Sequence, residues 1–144
     1  MTIALRLLRV KWLAAAKSGL LAGLLLLLLP QGVPWAALNF FSGAVMGRTS
    51  QSSGPDIGRI IIHLAISLMY GIIIAMIIKD MKSWWVIPFG GLIGLVLYFL
   101  NLICVKMWIS HFAGHEEQVA LTHVIFGLFA AAIYGGLTHR RWST

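Results

Sequence analysis

The sequence predicts an all-α integral membrane protein, a four-helix bundle with its N- and C-termini both on the inner side, and three observations predict it. Of its 144 residues 60% are hydrophobic and 10% charged, against roughly 25% charged in a soluble domain. The apolar residues fall in runs close to the roughly 20 residues that a helix needs to cross a bilayer. The lysines and arginines cluster at the ends of those runs, where membrane topology places them. The formal charge of +7 is therefore read as topology and not as nucleic-acid binding. A single membrane domain, residues 1–144, is expected.

The first span is expected at 13–29. Arg6, Arg9, Lys11 and Lys17 precede an unbroken leucine run, as in a signal peptide, but a cut after Ala37 would put Trp35 where cleavage needs a small residue. An uncleaved signal-anchor helix is the expectation, with Lys17 snorkelling to the headgroups and Pro30 and Pro34 ending the helix. Residues 35–47, WAALNFFSGAVMG, are too short to cross and are expected as an interfacial or re-entrant helix.

The polar linker RTSQSSGPDIGR leads into a second span at 60–78, and KDMKS makes a tight turn into a third at 84–105. A fourth span is expected at 119–137. With the N-terminus inside, Arg6, Arg9, Lys11, Lys17, Lys79, Lys82, Arg140 and Arg141 lie on the inner side and Arg48, Arg59 and Lys106 on the outer. That distribution follows the positive-inside rule.

The stretch HFAGHEEQVALTH, residues 111–123, holds three of the five histidines and two of the four acidic residues. In this topology it lies at the outer edge. His63 near the start of the second span, Asn101 near the end of the third and His123 near the start of the fourth fall at similar depth, roughly 5–6 Å below that edge. An ionisable residue within a span is a candidate functional site. For His63 and His123 the plainer expectation is a satisfied structural side chain; the sharper one is a pair of ligands to haem b. His111 and His115, with Glu116 and Glu117, are the candidates for a divalent metal, beside the plainer reading of a solvated loop. No cofactor is the leading expectation.

Small residues recur at four-residue spacing in every span: Ala15, Gly19 and Gly23; Ser67, Gly71 and Ala75; Gly90 and Gly94; Gly127, Ala131 and Gly135. Such faces let membrane helices approach closely. Tyr70 shares a face with His63, and Tyr134 with His123, so a polar seam of His63, Ser67, Tyr70, Asn101, His123 and Tyr134 is expected to point into the bundle. Interhelical hydrogen bonding is its first reading and a small-solute or proton conduit its second.

The nucleophile elbow, P-loop and dinucleotide fingerprint are all absent from the sequence. Cys104 is the single cysteine, so no intramolecular disulfide forms. These features point to a non-enzymatic protein that packs in the lipid bilayer against other membrane subunits or a second copy of itself.

The last three spans carry a resemblance. IIIHLAISLMYGIIIAMII, KSWWVIPFGGLIGLVLYFLN and EEQVALTHVIFGLFAAAIYGG resemble the YagU-like group of small bacterial inner-membrane proteins, in which a histidine opens one span, a glycine-rich span follows, and an acidic residue shortly precedes a second span-opening histidine. The matching positions are His63, Gly90, Gly91, Gly94, Glu117 and His123; where the group has a histidine near the end of the third span, this chain has Asn101. The resemblance implies the architecture and a bacterial cytoplasmic membrane, and it implies no particular activity.

Overall fold

In a computed structural model, the structure describes residues 10–28, 57–108 and 116–138, except the side chains of 59, 105–108 and 116–118. Four helices make up these residues: α1 Trp12–Leu27, α2 Ile57–Ile78, α3 Ser83–Trp108 and α4 Glu116–Thr138. No strand occurs among them. The expected interfacial segment 35–47 lies outside the described residues.

Three of the helices are long and apolar enough to cross a membrane, over Ile60–Ile78, Ser83–Cys104 and Val119–Thr138. These windows coincide within a residue or so with the spans read from the sequence. α1 is shorter, 16 residues, or about 24 Å. Its last turn tightens where the Leu28 amide donates to the Leu25 carbonyl at 3.1 Å, two residues before Pro30.

The turn between α2 and α3 is built from 79–82. The Met81 amide donates to the Ile78 carbonyl at 3.0 Å and the Trp85 amide to the Lys82 carbonyl at 2.9 Å. Pro88 lies inside α3, in its second turn. There it withdraws the amide that would have bonded the Trp84 carbonyl.

The helices associate unequally. α3 packs most extensively on α4 and α1 on α2, α1 then lies along α4, and α2 meets α3 only slightly. The two closest pairs are antiparallel and meet at glycine. A Cβ on Gly71 would lie 2.6 Å from the Gly19 nitrogen, and one on Gly127 would lie 2.9 Å from the Gly90 carbonyl carbon and 3.1 Å from the Gly94 Cα. Only hydrogen fits at these positions, so backbone touches backbone and many weak dispersion contacts form along the crossing.

The core is correspondingly small-grained. Ala15, Ala22, Ile74, Ala75, Ala130 and Ala131 are fully enclosed. Large apolar side chains instead face outward, among them Leu21 and Leu24 on α1, Ile61 and Met69 on α2 and Leu92, Val96, Phe99 and Leu100 on α3. In water so much exposed apolar surface would drive association; in lipid it is the expected exterior.

One end of the molecule carries aromatic and basic groups together. Trp12 opens α1, and Trp84 and Trp85 open α3; all three are exposed. The two indoles of α3 lie with centroids 4.3 Å apart, and Phe89 packs edge-on to Trp85 at 5.9 Å. Lys11, Lys17, Lys79 and Lys82 belong to the same end, where Lys79 pairs with Asp80 at 3.1 Å. Indoles and lysines at one level are the composition of a membrane–water boundary.

A candidate polar site at the far end of the helices

Three helices converge on one hydrogen-bonded chain at the end opposite Trp12, Trp84 and Trp85. Gly94 on α3 lies against the His123 backbone of α4, where a Cβ would come within 2.9 Å of the His123 carbonyl carbon. Asn101 follows Gly94 by two turns on the same face. Because helical side chains lean toward the N-terminus of their own helix, the His123 ring on antiparallel α4 leans toward Asn101. Tyr70 on α2, which runs parallel to α4, leans the same way and reaches them from below.

The chemistry of this chain can be fixed from one end. His123 Nδ1 lies 2.8 Å from the Val119 carbonyl oxygen, which only accepts, so Nδ1 carries the hydrogen. In the neutral ring Nε2 is then a bare acceptor. The Asn101 group facing it at 2.9 Å is therefore the NH2, and Asn101 Oδ1 faces the Tyr70 hydroxyl, which donates to it at 2.5 Å. Hydrogen bonds run in one sense from Tyr70 through Asn101 and His123 to the backbone of α4.

Aromatic groups flank the part-buried chain. Tyr98 lies edge-on to the His123 ring at 5.8 Å, and Tyr70 lies 6.3 Å from both His123 and Phe126. Among the described residues no enclosed side-chain nitrogen or oxygen lacks a partner. An apolar wall strengthens each bond and raises the cost of breaking one.

His63 belongs to a different contact. Its Nε2–H donates to the Gly23 carbonyl at 3.0 Å, tying α2 to the end of α1, and Ser67 fills the space beside Gly23, whose Cβ would lie 2.5 Å from Ser67 Oγ. Tyr134 lies at the other end of the molecule. Its hydroxyl meets the Lys11 backbone, while Lys11 Nζ donates to the Thr138 carbonyl at 3.0 Å and Thr138 Oγ1 to the Tyr134 carbonyl at 2.7 Å. A cation at the closing carbonyls of α4 complements the helix dipole.

The six residues expected to form one seam thus divide into three groups. His63 and Ser67 serve the α1–α2 contact, Tyr70, Asn101 and His123 form the chain, and Tyr134 closes α1 onto α4. For a bis-histidine haem, Nε2 of His123 would have to leave Asn101 and Nε2 of His63 would have to leave Gly23.

The expected metal ligands His111 and His115 lie outside the described residues, as do the side chains of Glu116 and Glu117, whose backbones open α4. Among the described residues no three His, Cys, Asp or Glu side chains gather as a metal site would require. The small-residue faces are used within the chain: Gly19 meets Gly71, Gly23 meets Ser67, and Gly90 and Gly94 meet Gly127 with Ala131 beside them. Ala75 is enclosed, and Gly135 has only Val86 near it, at 3.5 Å.

Sequence reading missed the Val119 carbonyl and the Tyr98 ring. Both had a signal: Val119 is one turn before His123, and Tyr98 is three residues before Asn101 on a neighbouring part of the same face. The Gly23 carbonyl had none, because a backbone acceptor carries no residue type. No family model, curated protein or solved structure matches the chain.

Proposed function

We propose that the chain is a non-enzymatic multi-pass protein of the bacterial cytoplasmic membrane, a four-helix bundle with both termini in the cytoplasm, that works as an accessory subunit of a larger membrane complex or as a homo-oligomer. Orientation is supported by the lysine and tryptophan end of the described helices, which carries Lys11, Lys17, Lys79 and Lys82, as the positive-inside rule requires of a cytoplasmic face. Kinship with the YagU-like group is part of this reading and rests on the span-opening His63 and His123.

The observation that carries the assembly role is the slight contact between α2 and α3. The closest helix pairs meet backbone to backbone through glycine, whereas the exposed side of α2 offers large, soft side chains such as Met69 and Met76. Methionine adapts its shape to a partner, and a helix from another subunit or a second copy fits this side.

The test places a photo-crosslinking amino acid at Met69, and separately at Leu21 on α1, in cells expressing the protein at its natural level. The expected outcome is one discrete protein adduct from Met69 and lipid adducts alone from Leu21. Lipid adducts alone from both positions would remove the assembly role. Reporter fusions to each terminus test orientation, and a terminus found outside overturns it.

A further inference from the structure

We propose that the Asn101 carboxamide is a proton-sensitive reversing switch, which converts a change of charge at His123 on α4 into a reversal of the hydrogen bond made by Tyr70 on α2. The proposal goes beyond the assembly role and stands whatever partner the chain has. It follows from the donor and acceptor sequence of the chain itself.

In the neutral state the sequence is fixed as Tyr70 O–H to Asn101 Oδ1, Asn101 Nδ2–H to His123 Nε2, and His123 Nδ1–H to the Val119 carbonyl. Suppose a proton from water binds the Nε2 lone pair. The N–H bond forms as an O–H bond of hydronium breaks and leaves neutral water, and the ring becomes an imidazolium with donors at both nitrogens. Nδ1–H keeps Val119, so the ring stays where it is. Nε2–H now faces the Asn101 NH2, donor against donor.

A half-turn of the carboxamide removes the conflict. Oδ1 then accepts from Nε2–H, a charge-assisted bond stronger than the neutral one it replaces, and Nδ2 turns to Tyr70. A phenol oxygen accepts as well as donates, so Tyr70 takes that hydrogen bond and its own hydrogen is released to another acceptor. Asparagine at 101 and tyrosine at 70 are the residue types this requires. A carboxylate at 101 would hold the imidazolium without reversing, and phenylalanine at 70 would have nothing to reverse.

The groups facing His123 are these. Tyr70 comes from α2 and the Tyr98 ring from α3, and Cys104 on α3 is exposed and within electrostatic range of Tyr70. Val119 and Phe126 belong to α4 itself. The end of α1 nearby, Gly23–Leu27, carries no titratable side chain, and His63 of α2 is held by Gly23. Glu116 and Glu117 open α4 one turn before Val119. His123 lies four residues into the apolar window that begins at Val119, roughly 6 Å along the helix from its start.

The test is nuclear magnetic resonance of the full chain in lipid nanodiscs, labelled at histidine ring nitrogens, asparagine side-chain nitrogen and tyrosine Cζ, and titrated over about pH 4.5 to 8.5, which spans the histidine range. At the high end His123 is expected as the Nδ1–H tautomer. Through its titration the Asn101 Nδ2 and Tyr70 Cζ resonances are expected to shift with the same midpoint. In Asn101→Leu, His123 still titrates and the Tyr70 shift disappears. An Nε2–H tautomer, a His123 that keeps one charge throughout, a Tyr70 that is stationary while His123 titrates, or a Tyr70 step that survives Asn101→Leu each overturns the proposal. The wild-type titration alone decides it if the variant does not fold.

Discussion

The α3–α4 and α2–α3 junctions share a helix and are built on opposite principles. α3 meets α4 where Gly90 and Gly94 face Gly127, with backbones in contact. α2 meets α3 slightly and is fastened by the Tyr70–Asn101 hydrogen bond. At its glycines the first junction sets backbone against backbone, with little there that side-chain rotation could rearrange, and Asn101 and His123 bond across its far end. The second carries the Tyr70–Asn101 bond between two side chains that turn, and it is the junction at which a change of proton or partner is expected to be felt. In lipid, where apolar contact between helices gains nothing over apolar contact with acyl chains, close packing and hydrogen bonds are the means available.

The sharpest way to break this contrast is to give the glycine junction a side chain. Gly127→Leu places atoms where the Gly90 carbonyl already lies, and Gly71→Leu does the same against Gly19. Each is expected to destabilise the chain at or above the roughly 3 kcal/mol upper end of overpacking effects, read as loss of folded monomer in denaturation with increasing SDS. A Gly127→Leu protein of wild-type stability would mean that the backbones do not touch. Ala131→Leu, beside Gly90, is expected to act in the same direction.

The polar junction gives a smaller effect. Asn101→Leu is expected to cost about 0.6 to 1.7 kcal/mol, the range measured for hydrogen bonds between membrane helices. Adding Tyr70→Phe to it should cost much less than Tyr70→Phe alone, because the bond is already gone. Strict additivity in the double-mutant cycle would show that Tyr70 and Asn101 do not share a bond.

The smallest effect is expected where glycine is not needed. Gly136 on α4 has nothing within 4 Å of its would-be Cβ, so Gly136→Ala should stabilise by at most about 1 kcal/mol, the helix preference for alanine. A marked loss of stability in this variant would instead mean that a partner covers this face.

Much of the fold was legible because the bilayer imposes length. The windows Ile60–Ile78 and Val119–Thr138 follow from where apolar runs start and stop. The convergence of Asn101 and His123 was legible too, since opposite chain directions and equal depth bring them to one level. The single seam was not. Tyr70 and His63 differ by seven residues, within about 20° on an ideal helix, yet His63 bonds Gly23 of α1 and Tyr70 bonds Asn101 of α3. Helical period assigns a residue to a face, while its rotamer and length select which neighbour it reaches.

The sequence by itself led to four expected spans, of which three match helices long and apolar enough to cross a membrane while α1 is shorter, and to the small residues that let helices approach. Those properties are local: they depend on composition, length and spacing along one chain. Only the tertiary structure decided that the small-residue faces are spent on α1–α2 and α3–α4, that α2 meets α3 slightly and bonds it through Tyr70 and Asn101, and that His123 presents its acceptor nitrogen to Asn101. These depend on which helix lies beside which, and in a bilayer every helix offers its neighbours nearly the same apolar surface. Fit between particular backbones, and the direction of a few hydrogen bonds, makes the choice.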